Sequence, residues 1–109
     1  MISLALTGRL TRDPELRQVP DPASDRTLDV CQVRVAARTR RGETVYLDLS
    51  EWGPSGRAAA ERLRTGSQIA FTGELRFREE AGDDRVRQYL SAVGHIEFLD
   101  SRAGSEAAS

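Results

Sequence analysis

The stretch Glu43-Thr-Val-Tyr-Leu-Asp-Leu-Ser-Glu-Trp-Gly53 decides the fold, because its aliphatic residues alternate strictly with polar and aromatic ones. The aliphatic residues of one parity are Val45, Leu47 and Leu49. Strict alternation is typical of a strand with one buried face, so these three side chains are predicted to face the core. Tyr46 and Trp52 occupy the other parity. The sole Trp and one of the two Tyr residues are therefore expected on a polar, solvated face.

Large aromatic side chains on a solvated sheet face require an explanation. One is that Tyr46 and Trp52 stack on the bases of a nucleic acid, since every base offers a flat face to an aromatic ring. Another is that they pack at a subunit interface, where Trp and Tyr are enriched. The third is simple surface cover. The residues alone leave these three explanations open.

The composition indicates one ordinary globular domain. The chain has 109 residues, of which 39% are hydrophobic and 30% charged. No apolar run approaches the roughly 18 residues of a membrane span, and residues 1–8 lack the basic leader of a signal peptide, so a cytoplasmic, nucleoid-associated protein is expected. The net charge is −1 and all 16 basic residues are Arg. Arg favours forked phosphate contacts and stacking on bases, although the codon usage of a high-GC genome produces the same bias.

Metal, cofactor and catalytic chemistry have no support in the sequence. Cys31 and His95 are the only residues of their types and lie far apart, so a Cys/His metal site is not expected. Cys31 lies in an apolar run and is predicted to be a small buried hydrophobe. His95 has no evident nucleophile or carboxylate partner in a motif. No phosphate-cradling Gly loop is present either, so the prediction is a protein with no cofactor that is not an enzyme.

The rest of the chain is predicted to supply four more strands and one helix. The predicted strands are residues 2–10, 27–38, 67–78 and 85–99, and the helix covers residues 57–64. Residues 12–17 carry a turn signal and residues 19–25, with two Pro, are predicted to form a loop. Gly42 is expected at a hairpin turn. Residues 79–84 are predicted to form an acidic turn.

Finer expectations concern packing and helix ends. The apolar parity of the second strand changes at Val30–Cys31, which predicts a bulge. Ser55 is a candidate helix N-cap and Gly66 a candidate C-terminal cap. Beyond the decisive strand, the residues expected to reach the core include Ala59, Leu63, Phe71 and Phe77.

Five strands with a single helix between the third and fourth is the plan of the OB-fold. The predicted fold class is therefore all-β, a five-stranded Greek-key OB-fold barrel with one short helix. Residues 1–100 are predicted to form this domain, and residues 101–109, which are small and polar, a short disordered tail.

The chain resembles the bacterial single-stranded DNA-binding protein family in motifs that follow the family's order and cover nearly all of residues 2–99. The motifs are Leu6-Thr-Gly-Arg-Leu-Thr-Arg-Asp-Pro-Glu-Leu-Arg17, Val30-Cys-Gln-Val-Arg-Val-Ala36, Trp52-Gly53, Leu63-Arg-Thr-Gly-Ser-Gln-Ile69 and Thr72-Gly-Glu-Leu-Arg-Phe-Arg78. The resemblance implies an oligomeric barrel, a dimer or tetramer, that coats single-stranded DNA during replication, repair or recombination. Tyr46 and Trp52 match two of the family's base-stacking positions.

This sequence also departs from the family pattern. Two further stacking positions carry Arg38-Thr-Arg-Arg41 and Arg78-Glu-Glu80 instead of aromatics. The family's Gly/Pro/Gln-rich tail with its acidic tip is not seen, so tail-mediated recruitment of replication proteins is not expected. The alternative function is an adaptor of the same fold, similar to primosomal replication protein N, that acts mainly through protein–protein contacts.

The predicted nucleic-acid site consists of the two aromatic residues and nine Arg residues. They are Arg9, Arg34, Arg38, Arg40, Arg41, Tyr46, Trp52, Arg76, Arg78, Arg85 and Arg87. The Arg residues also fit a second interpretation, a solvated surface paired with the acidic residues Glu74, Glu79, Glu80, Asp83 and Asp84.

Overall fold

The computed structural model describes residues 1–81 and 86–99, the side chains of 77–81 and 86–89 excepted. Within this part, six strands and one helix follow each other along the chain. They are β1 (Ser3–Leu10), β2 (Glu15–Pro20), β3 (Thr27–Arg38), β4 (Thr44–Trp52), α1 (Gly53–Arg62), β5 (Gln68–Ala81) and β6 (Val86–Phe98). The predicted tail, 101–109, and residues 82–84 of the predicted acidic turn lie outside the described residues. Residues 79–81 of that turn belong to β5 instead.

Five of the strands close into a ring. β1 pairs with β5 on one side and, through Gly8–Leu10, with β3 on the other. β3 continues the ring to β4, β4 pairs in parallel with β6, and β6 returns to β5. Helix α1 lies between β4 and β5, which are the third and fourth of these five strands along the chain. The predicted all-β OB-fold with one short helix is therefore confirmed.

The sixth strand, β2, lies where the sequence pattern predicts a turn and a loop, so that prediction is wrong for Glu15–Pro20. Glu15–Pro20 pairs with β3 alone, beyond the point where β1 ends. An edge strand has no neighbour on its free side, so it tolerates Pro20 at its last position. Five of its six residues are exposed, which explains why no apolar alternation marked it.

The bulge predicted at Val30–Cys31 is wrong. The pairing of β3 with both β2 and β4 runs through these positions without an extra residue. Both residues are nevertheless buried, and they lie on opposite faces. Cys31 belongs to the core, whereas Val30 lies in register between Arg17 and Trp52 on the outer side.

The barrel core confirms the alternation in β4, since Leu47 and Leu49 are buried. Leu49, Ile69, Phe71, Val35 and Cys31 are the largest fully buried side chains among the described residues. Ala59 and Leu63 complete the core from the helix and its end, as predicted. Phe77, also predicted for the core, lies outside the described side chains.

Helix α1 begins earlier than predicted, directly after Trp52, and ends at Arg62. Pro54 in its first turn explains the early start, because proline's fixed φ suits that position and its missing N–H is not needed there. Ser55 therefore lies inside the helix and is not the N-cap. Gly66 is not the helix cap either, since it lies in the turn before β5 and its N–H donates to the Leu10 carbonyl at 2.8 Å. Among the described residues, no helix is long and apolar enough to cross a membrane.

Gly56 allows α1 to pack directly on the barrel backbone. A Cβ atom at this position would lie 2.1 Å from the Glu51 carbonyl oxygen and 3.4 Å from the Cys31 nitrogen. Both neighbours are main-chain atoms of strands in the ring, so they cannot move aside as a flexible side chain would. Only glycine fits this contact.

Substitution of Gly56 by Ala is therefore expected to destabilise the protein. Gly→Ala inside a helix ordinarily raises stability by about 0.5–1 kcal/mol. Here the added methyl group overlaps the Glu51 carbonyl, so we expect a loss of about 1–3 kcal/mol instead. Urea unfolding monitored by circular dichroism measures the change, with Ser55→Ala at the neighbouring exposed position as the control. Unchanged or increased stability of Gly56→Ala would contradict the packing described.

Candidate nucleic-acid interface

The outward residues of β4 form one continuous face. They are Tyr46, Asp48, Ser50 and Trp52, and we call this surface, with its cross-strand neighbours, the Tyr46–Trp52 face. Tyr46 is 54% exposed and Trp52 is 42% exposed, as the alternation predicted. Six residues separate the two side chains, about 20 Å on an ideal strand at roughly 3.3 Å per residue.

An Arg residue lies in the same cross-strand row as each aromatic side chain. Residues paired across a ladder share a face of the sheet. One row consists of Arg9, Ala36 and Tyr46, and the other of Arg17, Val30 and Trp52. The middle residue of each row is small or aliphatic. Each aromatic side chain therefore has a guanidinium two strands away and no acidic residue between.

Arg34 lies beside Tyr46 and is already engaged. Its Nη1 lies 3.1 Å from Oδ1 of Asp48, its cross-strand partner. Its Cζ lies 5.8 Å from the centre of the Tyr46 ring, a cation–π distance. Both members of the ion pair are close to half exposed. An incoming anion can therefore reach Arg34, but it must compete with Asp48 for the guanidinium.

A polar concavity lies between the two aromatic positions. Asp48 and Ser50, the two outward residues that separate Tyr46 from Trp52, form part of its wall. The other lining residues within the described part of the chain are Arg12, Arg17, Gln32, Val33, Leu49 and Ser91. Arg12 and Arg17 were not among the predicted site residues. Only the pairing of β2 with β3, which the sequence did not reveal, brings Arg17 to this surface.

A second concavity lies on the side of Tyr46 that is nearer to β1. Its walls include Arg9 and Arg38, both predicted site residues, together with Ala36 and Thr44. Arg9 donates from Nη1 to the Gly66 carbonyl at 3.0 Å, which fixes its side chain. Arg38 is exposed and pairs in register with Thr44. The two concavities follow one another along the Tyr46–Trp52 face.

The hairpin between β3 and β4 carries the next two predicted site residues, Arg40 and Arg41, both exposed. Thr39 closes this hairpin, since its N–H donates to the Glu43 carbonyl at 2.8 Å. Gly42 occupies the predicted turn with φ +90°, a conformation that favours glycine. Both guanidinium groups thus lie at the end of the sheet nearest to Tyr46.

The last predicted group belongs to β5 and β6. Arg76 is exposed. It pairs in register with Ser91 of β6, which in turn pairs with Asp48, so Arg76 lies in the same cross-strand row as Arg34 and Asp48. Its Nη2 lies 3.7 Å from a Glu74 oxygen, so the predicted pairing of Arg residues with acidic residues is present here. The side chains of Arg78, Arg87 and Tyr89, and the whole of Arg85, lie outside the described residues. So do the side chains of Glu79 and Glu80 and the whole of Asp83 and Asp84.

The pair His95 and Glu51 corrects the expectation that His95 has no carboxylate partner. His95 Nδ1 lies 2.8 Å from Oε2 of Glu51, and Nε2 lies 3.5 Å from Oε2 of Glu97. Glu51 is 3% exposed, and its Oε1 accepts the Ile96 N–H at 2.8 Å. The ladder between β4 and β6 covers only residues 48–50 of β4. The hydrogen bond from Ile96 to Glu51 therefore joins the two strands one residue beyond the end of this ladder.

Nucleophilic and metal chemistry find little support in the described residues. Cys31 is fully buried, as predicted, and burial, with a smaller effect from the Glu51 charge, raises the pKa of its thiol to about 11. A thiol with this pKa is not a nucleophile at neutral pH. Within the described part, no three His, Cys, Asp or Glu side chains form a group that fits a metal ion.

Comparison with known proteins identifies the family. A family model described as "Single-strand binding protein family" matches residues 1–99. Proteins named "Single-stranded DNA-binding protein" from Bacillus cereus and Treponema pallidum are 30% and 32% identical, each over 95% of this chain. The chain spans 63% and 61% of their lengths.

A solved structure shares the fold. The SSB domain of a Synechococcus sp. protein superposes with a TM-score of 0.67 at 18% identity, covering 89% of this chain and 94% of that domain. The ring of strands and the motif order of the sequence agree with these matches. Because the family model covers residues 1–99, the chain belongs to the single-strand binding protein family.

Proposed function

We propose that this chain binds single-stranded DNA along the Tyr46–Trp52 face, without reading base sequence. The observation that carries the proposal is the exposure of the sole Trp and of Tyr46 on one outward face, with an Arg residue in the cross-strand row of each. Membership of the single-strand binding protein family supports it, and the relatives described above are named for the same activity.

The proposed contacts divide between bases and phosphates. Tyr46 and Trp52 stack on bases, each contributing on the order of 1–3 kcal/mol. Their separation suits a strand laid across several nucleotides, within the roughly 4–16 nucleotides that one OB-fold covers. The proposed phosphate contacts come from Arg9, Arg34, Arg38, Arg40, Arg41 and Arg76, together with Arg78, Arg85 and Arg87.

The role in the cell follows from this activity. The protein acts as a non-catalytic, cytoplasmic, nucleoid-associated coat on single-stranded DNA during replication, repair or recombination. We expect it to act as a homo-oligomer, a dimer or a tetramer. The adaptor alternative receives no support from the relatives, which are named as DNA-binding proteins.

The proposal is tested by fluorescence anisotropy with labelled oligothymidine. Binding should weaken steeply as salt rises, because each neutralised phosphate releases counterions. An unlabelled single strand of mixed sequence should compete as well as oligothymidine, whereas duplex DNA should compete poorly. The proposal fails if there is no salt-sensitive binding to the single strand, or if duplex competes equally.

Replacement of Trp52 by Ala should weaken this binding about 5- to 150-fold, the equivalent of one lost stacking contact. The barrel should stay folded, because Trp52 is 42% exposed and outside the core. Phe98→Ala is the matched control, since Phe98 is a similarly exposed aromatic residue, at 38%, at the far end of β6. Equal affinities of the two variants, or unfolding of Trp52→Ala, would assign Trp52 a structural role.

A further inference from the structure

Arg12 lies in a short segment, Thr11–Pro14, in which both of its neighbours, Thr11 and Asp13, form hydrogen bonds to other parts of the chain. The N–H and hydroxyl of Thr11 both donate to the Arg34 carbonyl of β3, at 2.9 and 3.2 Å. Asp13 Oδ1 accepts from the N–H and hydroxyl of Thr65, at 2.8 Å each. These two hydrogen bonds stabilise the charged carboxylate and lower the pKa of Asp13. Arg12 is therefore held between two anchors.

The segment also contains more residues than the part of β3 that lies opposite it. β1 ends with Leu10 paired to Val35, and β2 begins with Glu15 paired to Gln32. Four residues, 11–14, thus span the two positions 33 and 34 of β3. The segment leaves the ladder at this point, and the Arg12 side chain lines the concavity between Tyr46 and Trp52.

Arg17 reaches the same concavity from β2. It lies in the row of Val30 and Trp52, and its Nη1 donates to Oε1 of Gln32 over a long 3.4 Å. A guanidinium carries five N–H donors in a fixed fork. Most of the Arg17 donors therefore stay available to a ligand in the concavity.

The charge balance of the concavity favours an anion. Among the lining residues that the structure describes, Asp48 is the only acidic one, and it is already paired with Arg34. Arg12 has neither a hydrogen bond nor an ion pair with any residue that the structure describes. Glu15 is exposed in the neighbouring row with Gln32 but does not line the concavity. Two Arg side chains thus converge where a polynucleotide would pass between the aromatic residues.

We propose that Arg12 and Arg17 bind the phosphodiester backbone of the DNA segment that spans Trp52 and Tyr46. The inference rests on the proposed function and adds a contact site to it. A strand whose bases stack on both aromatic side chains must cross the concavity. Forked guanidinium donors match phosphate oxygens there. Gln32, Ser50 and Ser91 offer neutral hydrogen-bonding groups beside them and add no further charge.

The test compares the double variant Arg12→Ala/Arg17→Ala with Arg57→Ala/Arg62→Ala. The control removes the same two charges from α1, where Arg57 pairs with Asp29 and Glu61 and Arg62 lies over Phe98. Affinity for labelled oligothymidine is measured at a series of salt concentrations. Two lost phosphate contacts should reduce the slope of log affinity against log salt by about 1.4, at roughly 0.7 per contact for a single strand. The control slope should equal that of the unaltered protein.

The outcomes separate this inference from the proposed function. If the unaltered protein does not bind the single strand, the proposed function itself is wrong. If it binds and both double variants show its slope, Arg12 and Arg17 make no phosphate contact and the inference is overturned. Arg12→Gln/Arg17→Gln keeps side-chain length and polarity, so it serves in the same assay if the Ala pair does not fold.

Discussion

The register between β3 and β4 is the constraint on which the rest of the structure depends. Nine residue pairs, from Val30 with Trp52 to Arg38 with Thr44, fix which side of β4 faces the core. A slip of one residue would bury Tyr46 and Trp52 and expose Leu47 and Leu49. The burial of those two leucines thus holds the aromatic pair outward. Core packing and the proposed base stacking are two consequences of one ladder.

Closure of the ring then supports this ladder from both ends. β1 pairs with both β3 and β5, and Glu51 ties the end of β4 to β6 through the Ile96 N–H. The Gly56 contact brings α1 onto the backbone of Glu51, the residue next to Trp52. These main-chain contacts fix the backbone on both sides of Trp52. The residue stays 42% exposed, so a ligand can reach its ring.

Alternation was sufficient to predict the strands and the outward aromatic residues, because each such strand has one apolar face. It failed for β2, an edge strand with five exposed residues of six and therefore no apolar signal. Without β2, the sequence gives no sign that Arg17 lies in the cross-strand row of Trp52, because that placement depends on a long-range pairing. Glu51 was missed for a related reason. Its parity is that of the core, but only the fold shows that Ile96 and His95 compensate its burial.

The most direct measurement of the central claim is the fluorescence of Trp52 itself during titration with oligothymidine at low salt. Trp52 is the sole Trp, so the emission reports on this face alone. The account predicts saturable quenching that added salt reverses. Binding of the oligonucleotide, seen by anisotropy, with unchanged Trp52 emission would place the DNA elsewhere and contradict the account.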